Sequence, residues 1–200
     1  MQLARLLIAS FALTGFLVAQ PSLRITSPVD GTVFHPGDTV NVTVEATPGF
    51  QTVLVGSPFG YGDGLKTPPY RFTLRIKSNL RPRKYPITAT GFVIPGQLVT
   101  SDTIFVQVEW PDQPVRLSVE TSDTFFKDMK YVDVIGEFAD GTSTYLNEST
   151  HISFASAAPA IARVDKVGYV TLVSPGQATI VVTYGDLRSE VSVTVTEAKR

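Results

Sequence analysis

Cysteine is absent from all 200 residues, so no disulfide, thiolate metal site or cysteine nucleophile can form. Histidine occurs only at His35 and His151, and the two do not stand at a metal-ligand spacing. No Gly-x-Ser-x-Gly elbow is present, and no glycine-rich phosphate loop opens a helix. Acidic residues are scattered rather than paired for glycosidase chemistry. A triad built from His35 with a distant serine and aspartate has no motif behind it. A non-catalytic protein without cofactor or metal is therefore expected. An excess of charge is missing too: 17 Lys/Arg against 18 Asp/Glu give a formal net charge of -1. That balance lacks the strong basic field of nucleic-acid or membrane-surface proteins.

Long apolar runs are missing after the N-terminus. Arg5 precedes an almost wholly apolar stretch at residues 6–18, and Ala19-Gln20 offers a cleavage point, so residues 1–19 read as an export signal. The competing outcome is retention of residues 3–19 as an anchor, near the lower limit of about 17 residues for a span. With the signal removed, no membrane insertion is expected, and the mature protein is placed in the periplasm, on the cell surface or outside the cell.

What the chain has instead is turn punctuation around short alternating runs. Ser27-Pro28, Asp30-Gly31, Pro36-Gly37, Pro48-Gly49, Pro95-Gly96 and Pro175-Gly176 separate segments rich in Val, Ile, Thr and Phe. Val40, Val42 and Val44 alternate with Asn41, Thr43 and Glu45, and Phe72, Leu74 and Ile76 with Arg71, Thr73 and Arg75. Val191, Val193 and Val195 alternate with Ser192 and Thr194. A period of two puts one face on a core and one in water. The fold class is all-β. Losing a native disulfide typically costs a small secreted domain about 2–5 kcal/mol, and burial has to replace it. Each fully buried Val, Leu, Ile or Phe contributes roughly 1.5–3 kcal/mol. Phe34, Phe72, Phe92, Phe138, Phe154 and Tyr184 are the expected filling.

Trp110-Pro111-Asp112-Gln113-Pro114 divides the chain, since two prolines remove backbone donors and stiffen the path. Each side is close to the usual size of a single β-sandwich domain. The expected organisation is one domain at 21–110, a short semi-rigid linker at 111–114 and a second domain at 115–196.

Asp140-Gly141-Thr142, Ile161-Ala162-Arg163-Val164-Asp165, Gly168-Tyr169-Val170-Thr171 and Pro175-Gly176-Gln177-Ala178-Thr179-Ile180 follow one another in the last third. This order resembles the bacterial Ig-like group 2 domain over about residues 115–195. The resemblance implies a β-sandwich of a secreted or surface protein. Ile25-Thr26-Ser27-Pro28, Pro36-Gly37-Asp38, Pro69-Tyr70 and Tyr85-Pro86-Ile87 in the first half look like another bacterial Ig-like family. It departs at Arg81-Pro82-Arg83-Lys84, where a glycine turn is usual. Tyr85 fits the tyrosine corner of such folds, its hydroxyl bonding nearby backbone.

Two features of the first half suggest a binding surface. In Ser57-Pro58-Phe59-Gly60-Tyr61-Gly62-Asp63-Gly64, glycines free the backbone, and Phe59, Tyr61 and nearby Tyr70 are expected to present rings to a sugar or protein. The plainer reading is a long turn whose rings cover the end of the core. Arg71, Arg75 and Arg83 are expected as polar support, against a plain reading of solvated residues guarding a strand edge. Residues 21–110 carry eight Lys/Arg and six Asp/Glu, and residues 111–200 carry eight and twelve. Asp140, Asp165 and Asp186 lie in turns without the ligand density of a calcium loop. The sequons at Asn41 and Asn147 are read as coincidence. The expected partner is an extracellular polysaccharide or a surface protein, not nucleic acid. The expected function is adhesion or recognition, with a structural spacer or assembly subunit as the alternative. No further domain follows Arg200 in this sequence, which favours recognition or assembly over spacing.

Overall fold

The computed structural model describes residues 20–93 and 96–196, so the expected signal at residues 1–19 lies outside the described residues. Every element among them is a strand or a turn, as the period-two segments dictate. The first nine strands are β1 (Leu23–Ser27), β2 (Val33–Phe34), β3 (Thr39–Ala46), β4 (Phe50–Ser57), β5 (Gly60–Tyr61), β6 (Tyr70–Arg75), β7 (Arg83–Val93), β8 (Gln97–Thr100) and β9 (Ile104–Val108). They form a three-stranded sheet in the order β1-β3-β6 and a larger one in the order β2-β9-β7-β4-β5, with β8 also on β7. All these pairings are antiparallel except β2 on β9, which is parallel.

Eight more strands follow: β10 (Arg116–Asp123), β11 (Met129–Glu137), β12 (Ser143–Tyr145), β13 (Ile152–Ser156), β14 (Ala162–Val164), β15 (Tyr169–Leu172), β16 (Gly176–Tyr184) and β17 (Leu187–Val195). One sheet runs β10-β11-β15-β14, with β12 also on β11, and the other β13-β16-β17. The buried residues fall into two clusters, one for each half. The chain is therefore all-β, with two tandem sandwiches.

Alternation chose the core faces correctly at Val40, Val42, Val44, Phe72, Leu74, Ile76 and Val193, all buried. Phe138 and Tyr184 are buried as expected, and Phe34 and Phe154 pack against their cores from the margin. Phe92 corrects the expectation: it lies on the solvent face of β7, across from Leu98 on β8. The inward phase of β7 is set by Tyr85, Ile87 and Ala89, which puts Gly91 rather than Phe92 on the core side. Phe50 takes the space, its ring lying where a side chain on Gly91 would stand. The Tyr85 hydroxyl donates to the Arg81 carbonyl oxygen at 3.1 Å, the bond expected of a tyrosine corner.

Candidate functional site

The structure separates the six residues singled out in the sequence. Phe59 is only 4% exposed and meets Tyr85 edge to face, with ring centroids 6.0 Å apart. Tyr70 is likewise in the first core. Neither ring can serve as a contact surface, which corrects the expectation. Tyr61 alone presents its ring, at 85% exposed. The glycines of this loop also act differently from the expectation, since Gly60, Gly62 and Gly64 are not among those with positive φ. Gly62 is needed for close approach: a Cβ there would stand 2.5 Å from the Phe72 ring. The loop is a lid on the core rather than a display of rings. Arg71 and Arg75 occupy the solvent face of β6, opposite Thr43 and Thr39. Arg83 opens β7 and reaches the second sandwich, its Nε 3.5 Å from Glu148 Oε2.

Arg83 points to a polar construction of another kind, the joint between the sandwiches. Backbone pairing carries the chain past β9, with Glu109 N donating to the Phe34 carbonyl and the His35 ring Nδ1 2.9 Å from Glu109 O. Glu109, 3% exposed, thereby enters the joint, and among the described residues no cation pairs with it. Burying a carboxylate is costly unless its lone pairs are filled. Here Oε1 accepts from Thr150 N at 2.6 Å and from Gln107 Nε2 at 2.8 Å, and Oε2 accepts from Ser149 Oγ at 2.8 Å. Two of those donors belong to the second sandwich. Trp110 works beside it: its indole N–H donates to Leu80 O at 3.1 Å, and its ring stacks on Phe138 at 4.8 Å. Beyond residues 111–114, Val115 N donates to Glu137 O, tying the exit to β11.

This joint shapes a cleft of about 240 Å³ lined by Arg81, Pro82 and Arg83 from the first sandwich and Tyr131, Asp133, Tyr145, Asn147 and Glu148 from the second. The Arg81 guanidinium lies 4.2 Å from the Tyr145 ring centroid, a cation–π contact. Tyr131 and Tyr169 are direct cross-strand partners with centroids 4.8 Å apart. Asn147 forms the floor: its Oδ1 accepts from Val134 N, and its Nδ2 donates to Val132 O and Val167 O. All of that amide's geometry is taken up, and the residue is buried, so the sequon at Asn147 is closed in the folded protein.

Burial pushes the Tyr131 phenol up to about 12, with the nearby carboxylates of Asp133, Glu148 and Asp165 and the Tyr169 phenol adding to it. The unfolded chain ionises the same phenol near its ordinary value of 10. The stabilising contribution is therefore complete below about pH 10 and is lost as pH rises towards 12. In melting experiments across this range, Tyr131→Phe is expected to lose stability less steeply than wild type. Parallel curves for the two proteins would contradict this assignment.

Asp140 and Asp165, weighed as calcium ligands, serve their own turns. Asp140 Oδ1 accepts from the Thr142 amide and hydroxyl, which hold its carboxyl below the usual range. Asp165 Oδ1 accepts from the Val167 and Tyr169 amides. Among the described residues, no group of three or more His, Cys, Asp or Glu is placed to hold a metal ion.

Sequence reasoning missed the joint cleft because its residues come from the loop before β7, the start of β7, β11, β12 and the loop after β12. The one local signal was Arg81-Pro82-Arg83 in place of a glycine turn. It also missed Phe125 and Phe126, 95% and 61% exposed at the tip of the β10–β11 hairpin and packed edge to face at 5.7 Å. Their signal was an aromatic doublet between Asp123-Thr124 and Lys127-Asp128, where a turn needs none.

Sheet pairs of this kind, closed over a single core and joined end to end, define an Ig-type β-sandwich architecture. Residues 150–197 match the bacterial Ig-like domain family. No curated protein matches the chain. Among solved structures, fibronectin(III)-like modules of Clostridium thermocellum CbhA share 22% identity over 43% of this chain and 93% of theirs, with a TM-score of 0.36. Bacteroides uniformis β-glucuronidase 3 shares 15% over 89% of this chain and 25% of its own, with a TM-score of 0.40. The D00-D0 domain of intimin shares 12% over 89% and 100%, with a TM-score of 0.35. At these identities and TM-scores none of the three carries an argument about this chain.

Proposed function

We propose that this is an exported, non-catalytic recognition protein of the bacterial surface, built from domains at 21–110 and 115–196, the second of group 2 type. Its ligand is held at the joint rather than at the Gly/aromatic loop. The observation that supports this reading is Glu109. A buried carboxylate bonded into both sandwiches fixes their relative placement, so Arg81 and Arg83 face Tyr131, Tyr145 and Glu148 across a preformed cleft. Ligand sites favour such junctions between domains.

Retention on isolated bacterial envelopes tests it. The chain from Gln20 onward is compared with an Arg83→Ala/Tyr145→Ala variant and with a Tyr61→Ala/Arg71→Ala/Arg75→Ala variant, all checked for an unchanged fold. Loss in the joint variant alone is expected. Equal retention of all three, or loss only in the second variant, would overturn the placement of the site.

A second reading, an assembly subunit working end to end, is favoured by the exposed Phe125–Phe126 pair. Of these rings, Phe126 borders a groove of about 790 Å³ at the turn of the β10–β11 hairpin, lined also by Val173, Pro175 and Val195.

A further inference from the structure

Four charged side chains line the joint cleft, and they balance: Arg81 and Arg83 against Asp133 and Glu148. A balanced cleft has no net field to collect a polyanion or a polycation. Nor is it a dry apolar slot. Asp133 Oδ2 accepts from Ser122 Oγ, and the Arg83–Glu148 pair is nearly half exposed on both sides. Planar guanidinium and carboxylate groups here offer several donors and acceptors to whatever enters the cleft. Beside them stand two phenol rings, Tyr131 and Tyr145, each with an apolar body and a polar tip. The Arg81 guanidinium covers one side of the Tyr145 ring and holds it in place. The volume of about 240 Å³ lies below the roughly 300–1,000 Å³ usual for drug-sized ligands. It suits one small ring, not a helix or a folded peptide.

An uncharged ligand with many hydroxyls and one apolar face satisfies all four features. We propose that the cleft binds a single ring of a neutral saccharide. Tyr131 and Tyr145 supply the surfaces for its C–H face, and Arg83, Asp133 and Glu148 bond its hydroxyls. The inference rests on the recognition role assigned to the joint and narrows it to one ligand class.

Titration calorimetry of the chain from Gln20 onward against soluble glucan, mannan, galactan, xylan and chito-oligosaccharides tests it, with alginate and heparin as anionic controls. Saturable binding to at least one neutral glycan is expected, stronger than to either anionic one. Tyr145→Ala is expected to weaken it about tenfold, from the loss of one aromatic contact. Tyr145→Phe retains the ring and is expected to keep most of the affinity. Glu148→Gln is expected to weaken binding without changing the melting temperature. Binding only to alginate or heparin, no binding to any glycan, or equal loss in the Phe and Ala variants would overturn the proposal. The two readings fail separately. Envelope retention that depends on the joint, with no neutral glycan bound, would leave recognition standing and point to a protein partner. Glycan binding unaffected by the joint variants would remove both.

Discussion

Asn147→Ala lowers the stability of the second sandwich by about 4 kcal/mol, the largest effect expected of any single substitution at the cleft. The amide is buried and makes three hydrogen bonds, to Val134 N, Val132 O and Val167 O. Alanine leaves those backbone groups without their side-chain partner at the buried floor of the cleft, and each orphaned buried group costs about 1–3 kcal/mol. Gly168→Ala is expected to act through the same contact. Its φ of +101° disfavours any side chain, and a Cβ there would stand 2.8 Å from Asn147 Nδ2 and 2.9 Å from Val132 O. Native proteins hold only about 5–15 kcal/mol in total, so either variant should melt its sandwich far earlier. Because both act on one contact, their double mutant should cost less than the sum. Chemical denaturation followed by circular dichroism measures all three. Losses under about 1 kcal/mol would mean the amide is not the tie it is taken to be.

Glu109→Ala is expected to cost about 3 kcal/mol and, more tellingly, to uncouple the two sandwiches. Thr150 N and Ser149 Oγ lose their acceptor at once, and Gln107 Nε2 is left with Val108 O alone. Among the described residues the sandwiches share no strand pairing, so what unites them is this carboxylate and the Trp110–Phe138 stack, the half-exposed Arg83–Glu148 pair adding little. Wild type should therefore unfold in one transition and the variant in two. Trp110 is the only tryptophan in the chain. Its fluorescence reports the joint directly, and its environment should become wetter in the variant before either core melts. Glu109→Gln keeps one acceptor oxygen and should fall between the two. One transition in the alanine variant, at an unchanged midpoint, would show the joint to be held by something else.

The fold was readable because its signals are local. Period-two alternation at residues 40–44, 72–76 and 191–195 states which face is buried, and the turns state where each strand stops. Phe92 shows the limit of that reading. Aromatic character alone does not give the phase of a strand, which Tyr85, Ile87 and Ala89 had already fixed. The Gly/aromatic loop misled for a related reason. A glycine beside an aromatic can mean backbone freedom or a ring packed against the backbone, and at Gly62 it meant the second. The joint left only one local trace, the Arg81-Pro82-Arg83 departure. Glu109 stands some 40 residues from Ser149 and Thr150 in sequence, and a buried carboxylate looks like any other glutamate until its donors are seen. Arg83 was singled out for its charge, while its partner Glu148 lay inside an unrelated sequon.

Residual dipolar couplings on the chain from Gln20 onward address the fixed joint most directly, since both proposals depend on it. A single alignment tensor should fit the amides of residues 23–108 and 116–195 together, and Glu109→Ala should split it into two. Two tensors of different magnitude in the wild-type protein would mean the sandwiches move independently, and a cleft shared between them would then have no standing shape to offer a ligand.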